Sequence, residues 1–313
     1  MFGSTRVADL NDANSDQKVG LMSQNGLYKQ YLNARKTAGR VVRRFRARSH
    51  SRALIKNDCS VLSSVGSAIY ETLCNSFSDE ERKLIDSIES RRESLLRAEG
   101  DLEFIDYGAG NLSRTQDEMD VGVRSSASIS HICSFSKPPF WASILFKLVR
   151  NLRPTKCVEL GSCVGISGAY QSAALKLNNV GELISLEGSP DIANIASETF
   201  SKLELQEVAS VTVGPFHQTL DDVLVSNAPV DFFFNDGHHD HDAVLKYFEL
   251  ALPHLSPDAV VVFDDIAWSD GMRRAWDEIK AHPKVAASVD LGIIGITKLG
   301  AKSNAKTDFK FKL

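Results

Sequence analysis

From Arg153 onward the chain alternates short apolar runs with stretches of helical period. The runs are Lys156 to Leu160, Leu183 to Glu187, Ala209 to Val213, Val230 to Asn235 and Ala259 to Phe263. Strands separated by helices predict a parallel sheet covered on both faces, the doubly wound α/β class. The clearest helix is Ile166 to Asn178, in which Ala169, Tyr170, Ala173, Ala174 and Leu177 share one face and Gly181 supplies the stop. Val285 to Asp290 and Gly292 to Lys298 lie too close for a helical crossover and predict an antiparallel pair at the sheet edge.

Ahead of Arg153 the pattern differs. Residues 1–30 are polar and without period. Helical period then covers Ala53 to Cys74, and Ser78-Asp-Glu-Glu81 is a capping box opening a second helix that runs to about Ala98. Ser134 to Trp141 is a turn leading into a helix over Ala142 to Asn151. The expected organisation is a basic, partly disordered leader over 1–52, a mainly helical N-terminal cap over 53–150, an α/β ligand-binding domain over 151–300 and a tail over 301–313.

A chain of 313 residues with 43% hydrophobic and 24% charged side chains can bury a full core. No apolar run approaches the roughly 18 residues of a membrane span, and Met1 to Arg6 lacks the apolar core of a signal peptide, so a cytoplasmic protein is expected. Five cysteines without Cys-x-x-Cys spacing imply neither a disulfide framework nor a zinc site. Charge is uneven: eight basic residues crowd between Arg35 and Arg52 in a protein whose net charge is −4. Such an arm could meet an anionic partner, or it could be a solvated leader; without a base-reading motif, nucleic acid is not the expected partner.

The candidate chemistry begins at Cys157-Val-Glu-Leu-Gly-Ser-Cys-Val-Gly-Ile-Ser-Gly168, which joins a strand to a helix through a glycine turn. Glycines there let backbone approach a nucleotide-like ligand, and Glu187 at the end of the next strand stands where a ribose diol is held. A Walker loop needs a lysine that the turn lacks. A dinucleotide site wants Gly-x-Gly-x-x-Gly, whereas this chain spaces Gly161, Gly165 and Gly168 differently. Glu159, two residues before Gly161, would repel a pyrophosphate but suit a cation, which favours S-adenosylmethionine, with its sulfonium, ammonium and ribose, over NAD. A structural turn with no ligand is the alternative. The expected cofactor-binding residues are Glu159, Gly161, Ser162, Gly165, Ser167, Glu187, Gly188, Gly214, Phe216 and Asp236; Phe216 could equally be core. Cys163 inside the turn has no basic neighbour in sequence and reads as a small filler rather than a nucleophile.

In doubly wound sheets ligands bind beyond the carboxyl ends of the strands, and two further ends are acidic: Asp236, and Asp264 with Asp265. Three converging carboxylates call for a cation, and Mg²⁺ is the hard, oxygen-liganded choice. Alternatively Asp264 caps the following turn and Asp265 binds backbone amides. His238 and His239 follow Asp236 closely, make up the expected catalytic set with it and are candidate general bases, although either could only hydrogen-bond its loop; His241 should start the next helix facing solvent. Two segments look less promising. Phe104 to Gly110 imitates a cofactor turn, but no strand ending in an acid follows it. In Ser134-Phe-Ser-Lys-Pro-Pro-Phe-Trp141, Lys137 stands where amino-methylating enzymes need an amide or acid.

Taken together, Val158 to Ser167, Glu187, Gly214-Pro-Phe216, Asn235 to His239 and Phe263 to Ile266 resemble the class I S-adenosylmethionine-dependent methyltransferases. The nearest branch holds the catechol, macrolide-sugar and aminocoumarin O-methyltransferases. Asp264 to Met272 with Ala275-Trp276 also resembles a group of bacterial methyltransferases of unassigned substrate, in which an Asp-x-Gly-Ala-Gly segment like Asp106 to Gly110 recurs. The resemblance implies a Rossmann-like seven-stranded sheet with an antiparallel last strand and, as in the metal-using members, a metal at Asp236, Asp264 and Asp265. Where catechol-type enzymes place a lysine base this chain has His239, and where the sugar enzymes place an acid it has His238. The expected function is O-methylation of a small hydroxylated metabolite or sugar with an Mg²⁺ assist, and a homodimer is compatible with it. The alternatives are a metal-independent N- or protein methyltransferase and a non-catalytic methyltransferase-like binding protein.

Overall fold

The computed structural model describes residues 45–108, 115–301, 307–311 and 313. Most of the basic leader, the end of the Asp106 to Gly110 segment and part of the tail therefore lie outside the described residues. The chain divides into Met1–Arg46 and a compact unit, Ala47–Leu313. Residues 47–55 of that unit are helical and bury Ala47, Ser51 and Leu54.

The helix α1 (Ser60–Leu73) buries Leu62, Val65, Ile69 and Leu73 at three- and four-residue spacing, the mark of one apolar stripe. In α2 (Asp79–Leu96) the predicted capping box forms: Ser78 Oγ accepts from the Glu81 N–H at 3.2 Å, and Glu81 Oε2 accepts from the Ser78 N–H at 2.9 Å. Such a cap is worth about 1 kcal/mol. Glu81 also accepts from Lys147 Nζ at 2.8 Å and Arg150 Nε at 3.1 Å, tying this helix end to the sheet-covering layer.

Next comes an antiparallel hairpin, β1 (Asp101–Asp106) and β2 (Val123–Ser128), with α3 (Gln116–Val121) in its connection. The cap is thus not all helical. Leu102, Phe104 and Ala127 pack on the core at alternating positions, a period of two that is too short to stand out in the sequence. The short α4 (Ile129–Ser134) leads to α5 (Pro139–Leu152), which starts on a proline at its first turn and is buried from Trp141 to Val149.

The main sheet is built from β3 (Lys156–Leu160), α6 (Ile166–Asn178), β4 (Glu182–Glu187), α7 (Pro190–Lys202), β5 (Ala209–Val213), α8 (Phe216–Asn227), β6 (Val230–Asn235), α9 (His241–Ala251), β7 (Leu255–Phe263), α10 (Asp270–Ala281), β8 (Val285–Asp290), β9 (Gly295–Leu299) and β10 (Thr307–Lys310). Strand order is β10-β8-β9-β7-β6-β3-β4-β5. Every pairing is parallel except those of β9, which runs antiparallel to both β7 and β8.

The Rossmann-like sheet with one reversed strand is present, and an eighth strand joins the expected seven. The expected antiparallel pair is β8 with β9, but β9 inserts between β7 and β8 rather than lying at the edge. The edge belongs to β10, drawn from the segment expected to be a tail. Phe311, just after it, is 6% exposed in the core, and burial of that ring explains why so short a strand docks.

Successive residues of the central strands enter opposite cores. Phe232 and Phe234 join the layer of α1, α2, α5, α6 and α7, while Phe233 joins that of α8, α9 and α10. Two-sided burial is why these strands read as unbroken apolar runs. The chain reverses its direction of winding between β3 and β6, which is where such sheets bind ligands.

Candidate functional site

At that switch point Gly161 has φ +90°, and a Cβ on it would lie 2.6 Å from the Asp236 carbonyl oxygen. The turn is pinned on both sides. Gly161 and Ser162 N–H donate to the Leu186 carbonyl, each at 3.0 Å, and the Asp236 N–H donates to the Leu160 carbonyl at 3.2 Å. Gly165, at φ +85°, opens α6.

Glu159 is fully buried. Its oxygens accept from Gln171 Nε2 at 2.7 Å and from Ser185 Oγ at 2.5 Å, and Ser162 Oγ lies 2.5 Å from the same serine. Burial pushes its carboxyl up to about 7. A Cβ on Gly168 would sit 2.9 Å from Glu159 Oε2 and 2.7 Å from the Phe200 ring. The third glycine therefore makes room for helix–strand packing, and Glu159 belongs to the wall behind the turn.

Glu187 is placed differently, at the edge of a cavity of about 990 Å³. Its Oε2 accepts from the Cys163 N–H at 2.9 Å and its Oε1 from the Ser189 N–H at 3.0 Å, so backbone fixes both oxygens. Burial raises this carboxyl to about 7 as well. Cys163 donates its thiol to the Ile132 carbonyl at 3.6 Å, and burial pushes that thiol far up, as befits a filler.

The cavity brings together Gly161, Ser162, Ser167, Glu187, Gly188, Phe216 and Asp236 from the expected cofactor set, and His238, His239 and Asp265 from the rest. Glu159, Gly165, Gly214 and Asp264 do not line it. The Gly214 N–H instead donates to the Glu187 carbonyl at 2.9 Å, holding β5 against β4. Phe216 stands edge-on to His238, with ring centroids 5.6 Å apart, and a Cβ on Gly237 would strike it.

Among the cavity residues outside the expected set, Tyr107 and Lys137 come from the cap and touch the expected site residues. Tyr107, in the segment that only imitates a cofactor turn, lays its ring against Gly188, where a Cβ would approach to 2.6 Å. Its carbonyl accepts from His238 Nε2 at 3.1 Å. Lys137 is 9% exposed; its ammonium contacts Asp264 and lies 3.5 Å from Asp236 Oδ2. The readable signal was a lone lysine before Pro138-Pro139 in an apolar stretch.

That arrangement changes the expectation of a metal. The ammonium already bridges two of the three carboxylates, and Asp264 lies 1% exposed behind the cavity wall. Among the described residues no group of three or more His, Cys, Asp or Glu is disposed to hold a metal ion. The donor set at Asp236, Asp264 and Asp265 does not fit a divalent cation while Lys137 stands in it. Burial raises the Asp236 carboxyl above its ordinary value, with Lys137 and His239 pulling it back down.

The two histidines separate cleanly. Both nitrogens of His238 are engaged, Nε2 with the Tyr107 carbonyl and Nδ1 with the Tyr247 hydroxyl at 3.2 Å. A carbonyl only accepts, so Nε2 carries the hydrogen and Nδ1 accepts from tyrosine. Burial lowers this imidazole below its usual value and keeps it neutral. His239 instead has Nε2 3.7 Å from Asp265 Oδ2 and a buried Nδ1 with no hydrogen-bond partner. His241 is at the surface, between Asp242 and Glu278, at 2.6 and 2.9 Å.

Residues 158–266 match a family described as a methyltransferase domain, a span that covers the glycines of the turn, Glu187, Asp236, Asp264 and Asp265. The chain is 24% identical over 127 residues to catechol O-methyltransferase domain-containing protein 1 of Mus musculus, which is 41% of this chain and 48% of that relative. It thus spans about half the length of the curated relative it matches. Among solved structures, a Podospora anserina methyltransferase bound to SAH (PaMTH1) superposes with TM-score 0.50 at 16% identity, covering 72% of this chain and 89% of that one. An O-methyltransferase from Bacillus cereus, also with SAH, gives 0.48 at 20% identity over 68% and 99%. At 16% identity the likeness to the Podospora anserina protein is one of fold. Among the described residues no helix is long and apolar enough to cross a membrane.

Proposed function

We propose that this chain, a class I S-adenosylmethionine-dependent methyltransferase, methylates an oxygen of a small hydroxylated acceptor, with His239 as the general base. The observation that carries this reading is the sharing of one cavity by a backbone-held carboxylate, Glu187, and a histidine–carboxylate pair, His239 with Asp265. The cavity volume lies at the top of the roughly 300–1,000 Å³ range of small-molecule sites, room for a nucleoside and an acceptor side by side.

The residues suit the cofactor. Glu187 presents an oriented carboxylate beside Gly188 for a ribose diol, and Phe216 and Ile192 offer apolar faces for a base. When bound, S-adenosylmethionine supplies a methyl group on a positively charged sulfur. His239 takes the acceptor proton while Asp265 stabilises the imidazolium that forms, a contribution of about 10²–10⁴ in rate. The cap lends Tyr107, Ile132 and Lys137 to the cavity wall, Tyr107 and Ile132 beside Gly188 and Cys163 at the glycine turn and Lys137 beside Asp236. Trp268 and Phe135 line the cavity while remaining 57% and 69% exposed, so an acceptor with a flat apolar face would stack there.

The test is transfer of a labelled methyl group to a panel of phenols, catechols and sugars, with the product bond identified by NMR. An O–CH₃ product supports the proposal, and exclusive N-methylation overturns it. Binding of SAH without turnover of any acceptor would favour a binding protein instead.

A further inference from the structure

We propose that Lys137 is the resident cation of the acceptor site, its ammonium standing between Asp236 and Asp264 where the resemblance would put a divalent metal, so that methyl transfer here is independent of metal. The catalytic consequence rests on the methyltransferase reading; the placement of the charge does not.

Four observations converge on the lysine. Its ammonium contacts Asp264, which is 1% exposed, and reaches Asp236 Oδ2 at 3.5 Å. Its side chain lines the same cavity as Glu187 and His239. Its backbone is held: Arg92 Nη2 donates to the Lys137 carbonyl at 2.8 Å, and Arg92 is itself gripped by Glu89, its Nε donating at 3.0 and 3.1 Å. Pro138 and Pro139 then stiffen the chain as it enters α5. A lysine anchored at its carbonyl and stiffened on its C-terminal side is an element of the site rather than a surface side chain folded inward.

The charges say the same. Asp236, Asp264 and Asp265 sit at the ends of two adjacent strands and cannot all ionise in a low-dielectric cleft without a positive partner. Lys137 supplies one positive charge to Asp236 and Asp264, while Asp265 lies beside His239. A divalent ion bound to the same oxygens would have to displace the ammonium or lie a few ångströms from it, and like charges at that range repel strongly. An ammonium has three donors; paired with the two carboxylates, it can still offer one to an acceptor oxygen gathering negative charge as His239 removes its proton. The lysine thereby takes over the charge stabilisation that a metal supplies elsewhere, without the metal's demand for open coordination positions.

Titration of the full-length protein with Mn²⁺, followed by electron paramagnetic resonance, decides the matter without any acceptor. The wild type is expected to leave Mn²⁺ free at 1:1 stoichiometry into the millimolar range, about as in buffer. Lys137→Ala exposes the carboxylates and is expected to gain one site per chain, which the double variant Lys137→Ala with Asp264→Asn loses. If the alanine variant does not fold, Lys137→Gln, which keeps the stem length and lacks the charge, carries the comparison. Stoichiometric Mn²⁺ binding by the wild type that Asp264→Asn abolishes overturns the proposal, and so does a folded, neutral variant that gains no site. In turnover assays the wild type should keep its rate in excess EDTA, while Lys137→Ala should lose about 10²-fold and recover part of it with Mn²⁺. SAH binding, read separately by calorimetry, reports on the methyltransferase reading alone, so its loss would not be confused with a failure of the lysine proposal.

Discussion

The two ends of the cavity are made in opposite ways. The end at β3 and β4 takes its turn, its glycines and Glu187 from 27 consecutive residues, Gly161 to Glu187, and locks them with backbone hydrogen bonds such as those from Cys163 and Ser189 to Glu187. The end at β6 and β7 gathers Lys137, His239 and Asp265 from positions up to 128 residues apart and joins them to Asp236, Asp264 and one another through side chains. Backbone-built sites depend on a short motif and a strand end; side-chain-built sites depend on the whole cap docking correctly. The first kind fixes a common cofactor, and the second is free to change from one acceptor to another.

Variants at the two ends should therefore fail differently. The largest effect is expected at the acceptor end: His239→Gln should cut turnover by about 10²–10⁴ while leaving SAH affinity within about twofold, as kinetics and calorimetry on the same preparation would show. A matching loss of SAH binding would mean that the ends are not separable. At the cofactor end, Gly161→Ala places a Cβ 2.6 Å from the Asp236 carbonyl at a φ of +90°, and should cost about 2–4 kcal/mol in denaturant unfolding together with most of the SAH affinity. Glu187→Gln turns an amide NH₂ toward one of two backbone donors and should weaken SAH by about 10–100-fold, with the fold intact by circular dichroism.

Smaller effects sharpen the contrast further. His238→Phe removes the link between the Tyr107 carbonyl and the Tyr247 hydroxyl and should lower stability by about 1–2 kcal/mol, with turnover per folded molecule changed severalfold at most. If it instead abolishes turnover as His239→Gln does, the assignment of the base is wrong. The smallest effect is a change of slope. Glu159 has its folded value raised from 4.5 to about 7, so its contribution to stability is fully present below about pH 4.5 and is lost as pH rises toward 7. Glu159→Gln removes that titration, and the difference in unfolding free energy between wild type and variant should vary across pH 4.5–7 and flatten above. A difference independent of pH would show that Glu159 is not buried as described.

The same division explains what could be read from the chain. The strands from Lys156 to Phe263 and the glycine turn were legible because burial on both faces writes a continuous apolar run and a tight turn writes glycine. Glu187 was legible for its place at a strand end. Glu159 misled, because charge alone does not say on which side of a strand a carboxylate lies; Gln171, Ser185 and Gly168 take it into the wall. The carboxylates Asp236 and Asp264 do come together, but the cation between them arrives from residue 137, and no spacing in the sequence couples a lysine to strand ends about 100 residues later. Tyr107 was hidden for the same reason, in a segment whose glycines imitate a turn while its tyrosine serves another one. The strand β10 shows the limit for short elements, since four residues carry too little pattern until Phe311 finds its place in the core.

The most direct test of the central claim is one calorimetric series, SAH titrated into the wild type, Glu187→Gln and His239→Gln under identical conditions. Binding by the wild type, a 10–100-fold loss in Glu187→Gln and an unchanged affinity in His239→Gln are the results expected of a methyltransferase whose cofactor and acceptor ends are built apart. No binding by the wild type at millimolar SAH, or equal binding by all three, would contradict it.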